Sequence, residues 1–221
     1  MVKISSINRG LVGHWRLDAE TGATDLSPYS NNGTANGGLS FGSATDQHAQ
    51  ANRATTFDGV NQYVNIPDNA SLQNVNDMTI SAWIKLNNTT GYKWIVCKNY
   101  FNEYCFGTIA SELRFYNGDG GYEAGDSSGA NISTSWTYVT VVRTSSGKNV
   151  DFYVNGAYIS SWNYTKTITA SSGNVYIGTR NDFYTYFNGS IDDVRIYNRA
   201  LSQTEITQLY QSYRPKLVIN K

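Results

Sequence analysis

Short runs of period-2 alternation recur from one end of the chain to the other, and they leave little room for anything but β-structure. The runs are Val12–Leu17, Ala54–Phe57, Tyr63–Ile66, Met78–Leu86, Lys93–Cys97, Tyr104–Ile109, Glu112–Tyr116, Thr137–Arg143, Val150–Val154, Ala157–Trp162, Asn174–Gly178 and Ile191–Tyr197. Apolar and polar positions trade places along them, so an extended strand has one greasy face and one wet face. Turn clusters separate the runs: Asn36-Gly-Gly, Asn117-Gly-Asp-Gly-Gly121, Ser145-Ser-Gly, Asn155-Gly and Ser171-Ser-Gly. Asn155-Gly156, between Asp151–Val154 and Ala157–Ser161, carries the strongest two-residue hairpin signal. About a dozen short strands with turns roughly every 8–12 residues predict an antiparallel two-sheet sandwich.

Composition narrows the class. Charged residues make up 15% of the 221, and Lys+Arg balance Asp+Glu at 17 each. No global field therefore draws nucleic acid or an anionic membrane. No apolar run is long enough to span a bilayer, so membrane insertion is not expected. The N-terminus, Met1-Val-Lys-Ile-Ser-Ser-Ile-Asn, shows no apolar leader segment. The Tyr-, Gly-, Ser- and Asn-rich, charge-poor composition reads as a module of a larger exported protein, extracellular or at the cell surface.

The last strand runs directly into a helix. Val194 and Ile196 alternate with Arg195 and Tyr197. Ser202 precedes Glu205 by three residues, the capping-box spacing, and Leu201 and Ile206 stand at the positions of a hydrophobic staple. The whole string, Phe187 to Ile206, resembles the C-terminal signature of bacterial laminin-G-like domains, "F-x-G-x-I-D-D-V-R-I-Y-N-R-A-L-S-x-x-E-I". Five further blocks agree in family order after the opening Gly10-Leu-Val-Gly-His-Trp-Arg-Leu-Asp18: Asp25-Leu-Ser-Pro-Tyr-Ser-Asn-Asn-Gly-Thr34, Phe57–Val64, Met78–Lys85, Ser135–Val142 and Asp151–Gly156. The resemblance implies an all-β, concanavalin-A-like jelly-roll sandwich with one short C-terminal helix. It sets the domain at residues 10–210, with an extension at 1–9 and a tail or linker at 211–221.

Catalysis finds little support. The retaining glucanases that share this fold need two carboxylates on one strand face, as in "E-x-D-x-x-E". Here Glu20, Glu103, Glu112, Glu123 and Glu205 are scattered. Asp192 and Asp193 are adjacent, which on a regular strand sends their side chains to opposite faces. With two histidines and no zinc or triad motif, no enzyme is expected. Cys97 and Cys105 flank the turn Lys98–Tyr104 and either form a cross-strand disulfide or sit as two small buried thiols.

Two binding chemistries remain. The resemblance implies a structural Ca²⁺, with Asp18, Asp25, Asp58 and Asp192 as metal ligands; calcium takes roughly six to eight oxygens. Asp192 shares the parity of Val194 and Ile196, so it is expected to face the interior, where a carboxylate needs a cation or donors. The second is aromatic. Tyr92, Trp94, Tyr100, Tyr104, Tyr122, Trp162 and Tyr184 lie in or beside loops. Aromatic faces suit sugar rings and protein hot spots alike. They are equally ordinary sheet residues with cross-strand partners. The expectation is a non-catalytic, lectin-like recognition module for carbohydrate or a cell-surface glycan. The alternatives are a protein-binding adhesion module for a host or surface protein, or a structural spacer of a surface or phage fibre.

Overall fold

Two seven-stranded antiparallel sheets face each other across one apolar core. The computed structural model describes residues 7–118, 122–127 and 129–212. The first sheet runs β1 (Leu11–Trp15), β14 (Asn188–Tyr197), β5 (Met78–Leu86), β10 (Thr137–Thr144), β11 (Asn149–Val154) and β12 (Ala157–Asn163), with β3 (Thr55–Asp58) also paired to β14. The second runs β2 (Thr34–Asn36), β4 (Tyr63–Ile66), β13 (Val175–Ile177), β6 (Tyr92–Lys98), β7 (Tyr104–Ile109), β8 (Glu112–Gly118) and β9 (Tyr122–Asp126). Sequence alternation locates the strands but passes over β2 and β9. The first is three residues long, and the second carries Gly125 and two acids. The expected extension and tail fall partly at residues 1–6 and 213–221, outside the described residues.

The alternation does the folding work. Ile80, Ala82 and Ile84 of β5, Val139 and Val141 of β10, and Phe152 of β11 meet Val64, Val96, Phe106 and Phe115 of the second sheet. All ten are essentially dry, and each except Ala82 contributes about 1.5–3 kcal/mol of transfer free energy. Asn155 and Gly156 both take positive φ (52° and 78°), which is what a two-residue turn between twisted strands requires.

The outer faces differ. On the first sheet, Trp83, Tyr138, Val142, Tyr153 and Tyr197 form a second apolar cluster. It is covered by α1 (Gln203–Ser212) through Ile206 and Leu209. The helix starts as expected: the Ser202 N–H donates to Glu205 Oε2 at 2.9 Å, and the Glu205 N–H donates to Ser202 Oγ at 3.3 Å. Leu201 and Ile206 both lie in the cluster beneath. The second sheet has no helix among the described residues, and its outer face is covered by its own aromatic side chains and one loop.

Candidate ligand-binding face

Register places Tyr92 and Trp94 of β6, Cys97 and Cys105 of the β6–β7 hairpin, and Arg114 and Tyr116 of β8 on this outer face. Tyr63 of β4 and Tyr176 of β13 continue it. Cys97 and Cys105 are directly opposite and form a disulfide, resolving the two readings of the pair. Trp94, Tyr100 and Tyr116 pack on that disulfide. Gly107 makes room for the indole. A Cβ there would come within 2.3 Å of the Lys93 carbonyl oxygen and 2.9 Å of the Trp94 ring.

The loop from Thr179 to Tyr186, pinched by a bridge between those two residues, folds back over this face. The Arg180 guanidinium lies 4.1 Å from the Tyr100 ring centroid, 5.6 Å from Trp94 and 5.9 Å from Tyr184. On the far side, Arg114 lies 5.1 Å from Tyr116 and 5.6 Å from Tyr92. Cations over aromatic faces are attracted by the ring quadrupole. Each arginine also grips a carboxylate. Arg114 donates to both Asp126 oxygens at 2.8 and 2.7 Å, and Arg180 donates to Asp182 through Nε and Nη2 at 2.8 and 2.6 Å. Burial by itself would raise the Asp182 carboxyl, but Arg180 and the Tyr184 N–H outweigh it and hold it below the usual carboxylate range. Phe183, on the same loop, takes φ 56°, a strained value for a bulky residue, and packs on Tyr63 and Tyr176.

The expected aromatic residues therefore divide. Tyr92, Trp94, Tyr100 and Tyr184 come together on this face. Tyr92 and Tyr184 expose 39% and 79% of their surfaces, whereas Trp94 lies fully covered beneath Tyr92, stacked at 5.8 Å. Tyr104 does not belong: its even-numbered parity turns it into the core, where its hydroxyl donates to the Leu72 carbonyl. Trp162 sits against Gly125 and the core, on the other side of the second sheet. The Tyr122 side chain lies outside the described residues. The sequence reading missed Arg114, Asp126, Arg180 and Asp182. The signal for the second pair was legible, since Arg180-Asn-Asp182 beside a tyrosine run is a loop ion pair waiting for its ring.

The four aspartates do not converge. Asp18 accepts the backbone N–H groups of Glu20 and Thr21 and pairs with Arg16 at 2.6 Å. Asp25 accepts from the N–H groups of His14, Ser27 and Asn31. Asp58 caps an exposed turn through Val60 and Asn61. Donors thus occupy both oxygens of Asp18 and of Asp25, and no group of three acidic, His or Cys side chains among the described residues is arranged to hold a metal. These residues do not fit a calcium site as a set.

Asp192 departs from expectation in a second way. A β-bulge between Asp192 and Arg195, with Asp193 at φ 48°, resets the parity of β14. Ile191, Val194 and Ile196 face the core, while Asp192 stands opposite Trp83 on the outer face. Asp192 and Asp193 consequently line one cleft of about 490 Å³ together with His14, Arg16, Asp46 and Arg195. Asp193 is held there by His14 at 2.6 Å and Arg195 at 2.9 Å.

Solved structures resemble this fold at low identity. A structure described as "Cell entry of botulinum neurotoxin type C is dependent upon interaction with two ganglioside molecules" superposes with a TM-score of 0.75 at 17% identity, covering 96% of this chain and 53% of the other. The binding domain of botulinum neurotoxin DC in complex with rat synaptotagmin II gives 0.74 at 17%, covering 94% and 52%. The binding domain of Paraclostridial Mosquitocidal Protein 1 gives 0.70 at 20%, covering 94% and 53%. The chain thus spans about half the length of these structures. No curated protein matches it. Residues 58–207, from the end of β3 through β14 into α1, match the model of the concanavalin A-like lectin/glucanases superfamily, of laminin-G type, and the chain belongs to that family.

Proposed function

We propose that the protein is a non-catalytic recognition module that binds carbohydrate on the outer face of its second sheet. The observation carrying this is the pair of exposed tyrosines, Tyr92 and Tyr184, each set beside an arginine–carboxylate ion pair. A flat ring offers apolar area to the C–H face of a sugar, and the ion pair offers oriented donors and acceptors to its hydroxyls. The structural relatives lend support, since one is described by its interaction with gangliosides; another is a complex with synaptotagmin II, which makes a protein partner the second reading. The disulfide and the charge-poor composition support an extracellular or cell-surface setting.

The non-catalytic reading is supported by the placement of the acids. Glu103 is buried beside Lys98, Glu112 accepts from the Ala130 N–H, Glu123 from the Thr165 and Lys166 N–H groups, and Glu205 caps the helix. Of the carboxylates that share a cleft with Asp192, Asp193 spends its oxygens on His14 and Arg195, and Asp46 accepts the His48 and Gln50 N–H groups. A nucleophile needs a free oxygen at the sugar.

A glycan-array and polysaccharide pull-down screen, with Ca²⁺ and with EDTA, tests the proposal. Saturable binding that weakens in Tyr92→Ala supports it. Loss with EDTA, without unfolding, would put a cation into the site. Silence across a broad panel sinks the carbohydrate reading and leaves a protein-adhesion or spacer domain.

A further inference from the structure

Two stations of the same design stand on this face. At one, Tyr92 is exposed beside Arg114, whose Nη1 donates to both oxygens of Asp126; at the other, Tyr184 is exposed beside Arg180, which is forked onto Asp182 through Nε and Nη2. The arginine side chains are only 16% and 14% exposed, so the rings and backbone around them fix their direction, while Asp126 and Asp182 stay 41% and 33% open to accept hydroxyls. The stations arise independently. The first is built from the β6–β8 register, the second from a loop that returns across the sheet.

Trp94 links them. Its ring lies 5.8 Å from Tyr92 and 5.6 Å from the Arg180 guanidinium, which is itself 5.9 Å from Tyr184. Trp94 is fully buried, so it spaces the stations without offering a ring of its own. The buried indole and the Arg180 guanidinium thus stand between the two exposed rings. We infer that the two stations are subsites for different units of one glycan chain, so the module takes internal stretches of a polysaccharide rather than a terminal sugar. This rests on the saccharide reading above. Linking two weak sites through one ligand raises affinity without any new contact, because the second sugar arrives at a high effective concentration. The strained φ of Phe183 fits the same reading: Phe183 anchors on Tyr63 and Tyr176 and holds the adjacent Tyr184 out in solvent.

The experiment is calorimetric titration with cello-, xylo-, manno- and malto-oligosaccharide ladders of one to six units, against the intact protein, Tyr92→Ala and Tyr184→Ala. Both residues are exposed, and melting curves confirm that the variants fold. The expected result is affinity that climbs at least tenfold from the di- to the tetrasaccharide of the bound series and then levels off. Each substitution should return the tetrasaccharide to disaccharide affinity while leaving the disaccharide itself bound by the surviving station. Length-independent binding, or a loss confined to one of the two variants, overturns the two-station inference alone. Failure of every ladder, in the presence of Ca²⁺ as well as EDTA, overturns the saccharide reading and this inference with it.

Discussion

Asp192 and Asp193 are neighbours on one strand, face the same cleft, and are driven in opposite directions by it. Desolvation, then the charges of Asp193 and Asp46, push the Asp192 carboxyl up to about 9. Asp193 is also desolvated, yet Arg195 and His14 outweigh burial and drive its carboxyl far below the ordinary range. One is a neutral acid at pH 7 and the other a fixed anion.

The pH dependence of stability follows from that split. A carboxyl raised in the folded state binds its proton more tightly there than in the unfolded chain, so Asp192's contribution is complete below its unfolded value near 3.8 and is lost as pH climbs through about 9. Asp193 works in reverse, its contribution being present above the same unfolded value. Between pH 5 and 9 Asp192 therefore contributes a falling slope of at most about 1.4 kcal/mol per pH unit, and Glu103, also raised by burial, adds in the same direction. Asp192→Asn should flatten urea-midpoint curves over that window and gain relative stability toward pH 9. Parallel curves for the two proteins would refute the assignment.

The cap of α1 offers a second check. Removing the Ser202 hydroxyl frees the Glu205 N–H, and Ser202→Ala should cost about 1 kcal/mol. Glu205 is held down at about 2, chiefly by its hydrogen bonds to Arg199, so its contribution is present above 4.5 and lost as pH falls toward 2. Glu205→Gln should accordingly remove acid sensitivity in that window. Chemical denaturation at pH 3 and pH 6 measures both.

Much of this architecture is legible in the sequence because alternation encodes faces. Ile80, Ala82 and Ile84 name the core side of β5, and Ser202 with Glu205 names the helix start. The failures have a common physical origin. Parity carries across a strand only while pairing is regular, and the bulge at Asp193 breaks it, which is why Asp192 was assigned to the wrong side. Charge also hides parity: Lys98 and Arg143 look like surface positions. Yet Lys98 is buried against Asp68 and Glu103, and Arg143 against the Asn74 and Asn76 carbonyls. The ligand face depends on a long-range event, the return of the loop carrying Arg180, and no local pattern reports it.

Gly107 is where backbone and indole compete for one place. A methyl group there meets the Lys93 carbonyl oxygen and Trp94, neither of which can yield without disturbing β6. Gly107→Ala should cost about 1–3 kcal/mol and shift Trp94 from its dry seat. A red-shifted emission maximum in the folded variant reports the shift; unchanged emission and stability would show that β7 moves away instead.

The disulfide supports the same seat from below. Cys97 and Cys105 close a turn of sequence separation 8 under Trp94, Tyr100 and Tyr116. Replacing both by serine should cost about 2–4 kcal/mol, since a short unfolded-state loop is released and two polar groups enter a dry cluster. The decisive measurement is glycan affinity of the folded double variant. An affinity loss at unchanged fold shows that the cross-link positions the aromatic face, and full affinity shows that it stabilises the hairpin alone.

Arg180 separates charge from geometry. Its guanidinium carbon lies 4.1 Å from the Tyr100 ring centroid while Nε and Nη2 address both oxygens of Asp182. A lysine keeps the charge but cannot stack as a plane or fork onto a carboxylate. If the loop is held by that double engagement, Arg180→Lys should weaken glycan binding nearly as much as Arg180→Ala. The loss should fall on long oligosaccharides, because Tyr184 goes astray while Tyr92 and its own arginine stay in place. Stability should change by no more than about 1 kcal/mol, the scale of a partly exposed cation–π pair. If lysine restores full affinity, a point charge is all the face requires, and the planar fit of Arg180 over Tyr100 has no part in recognition.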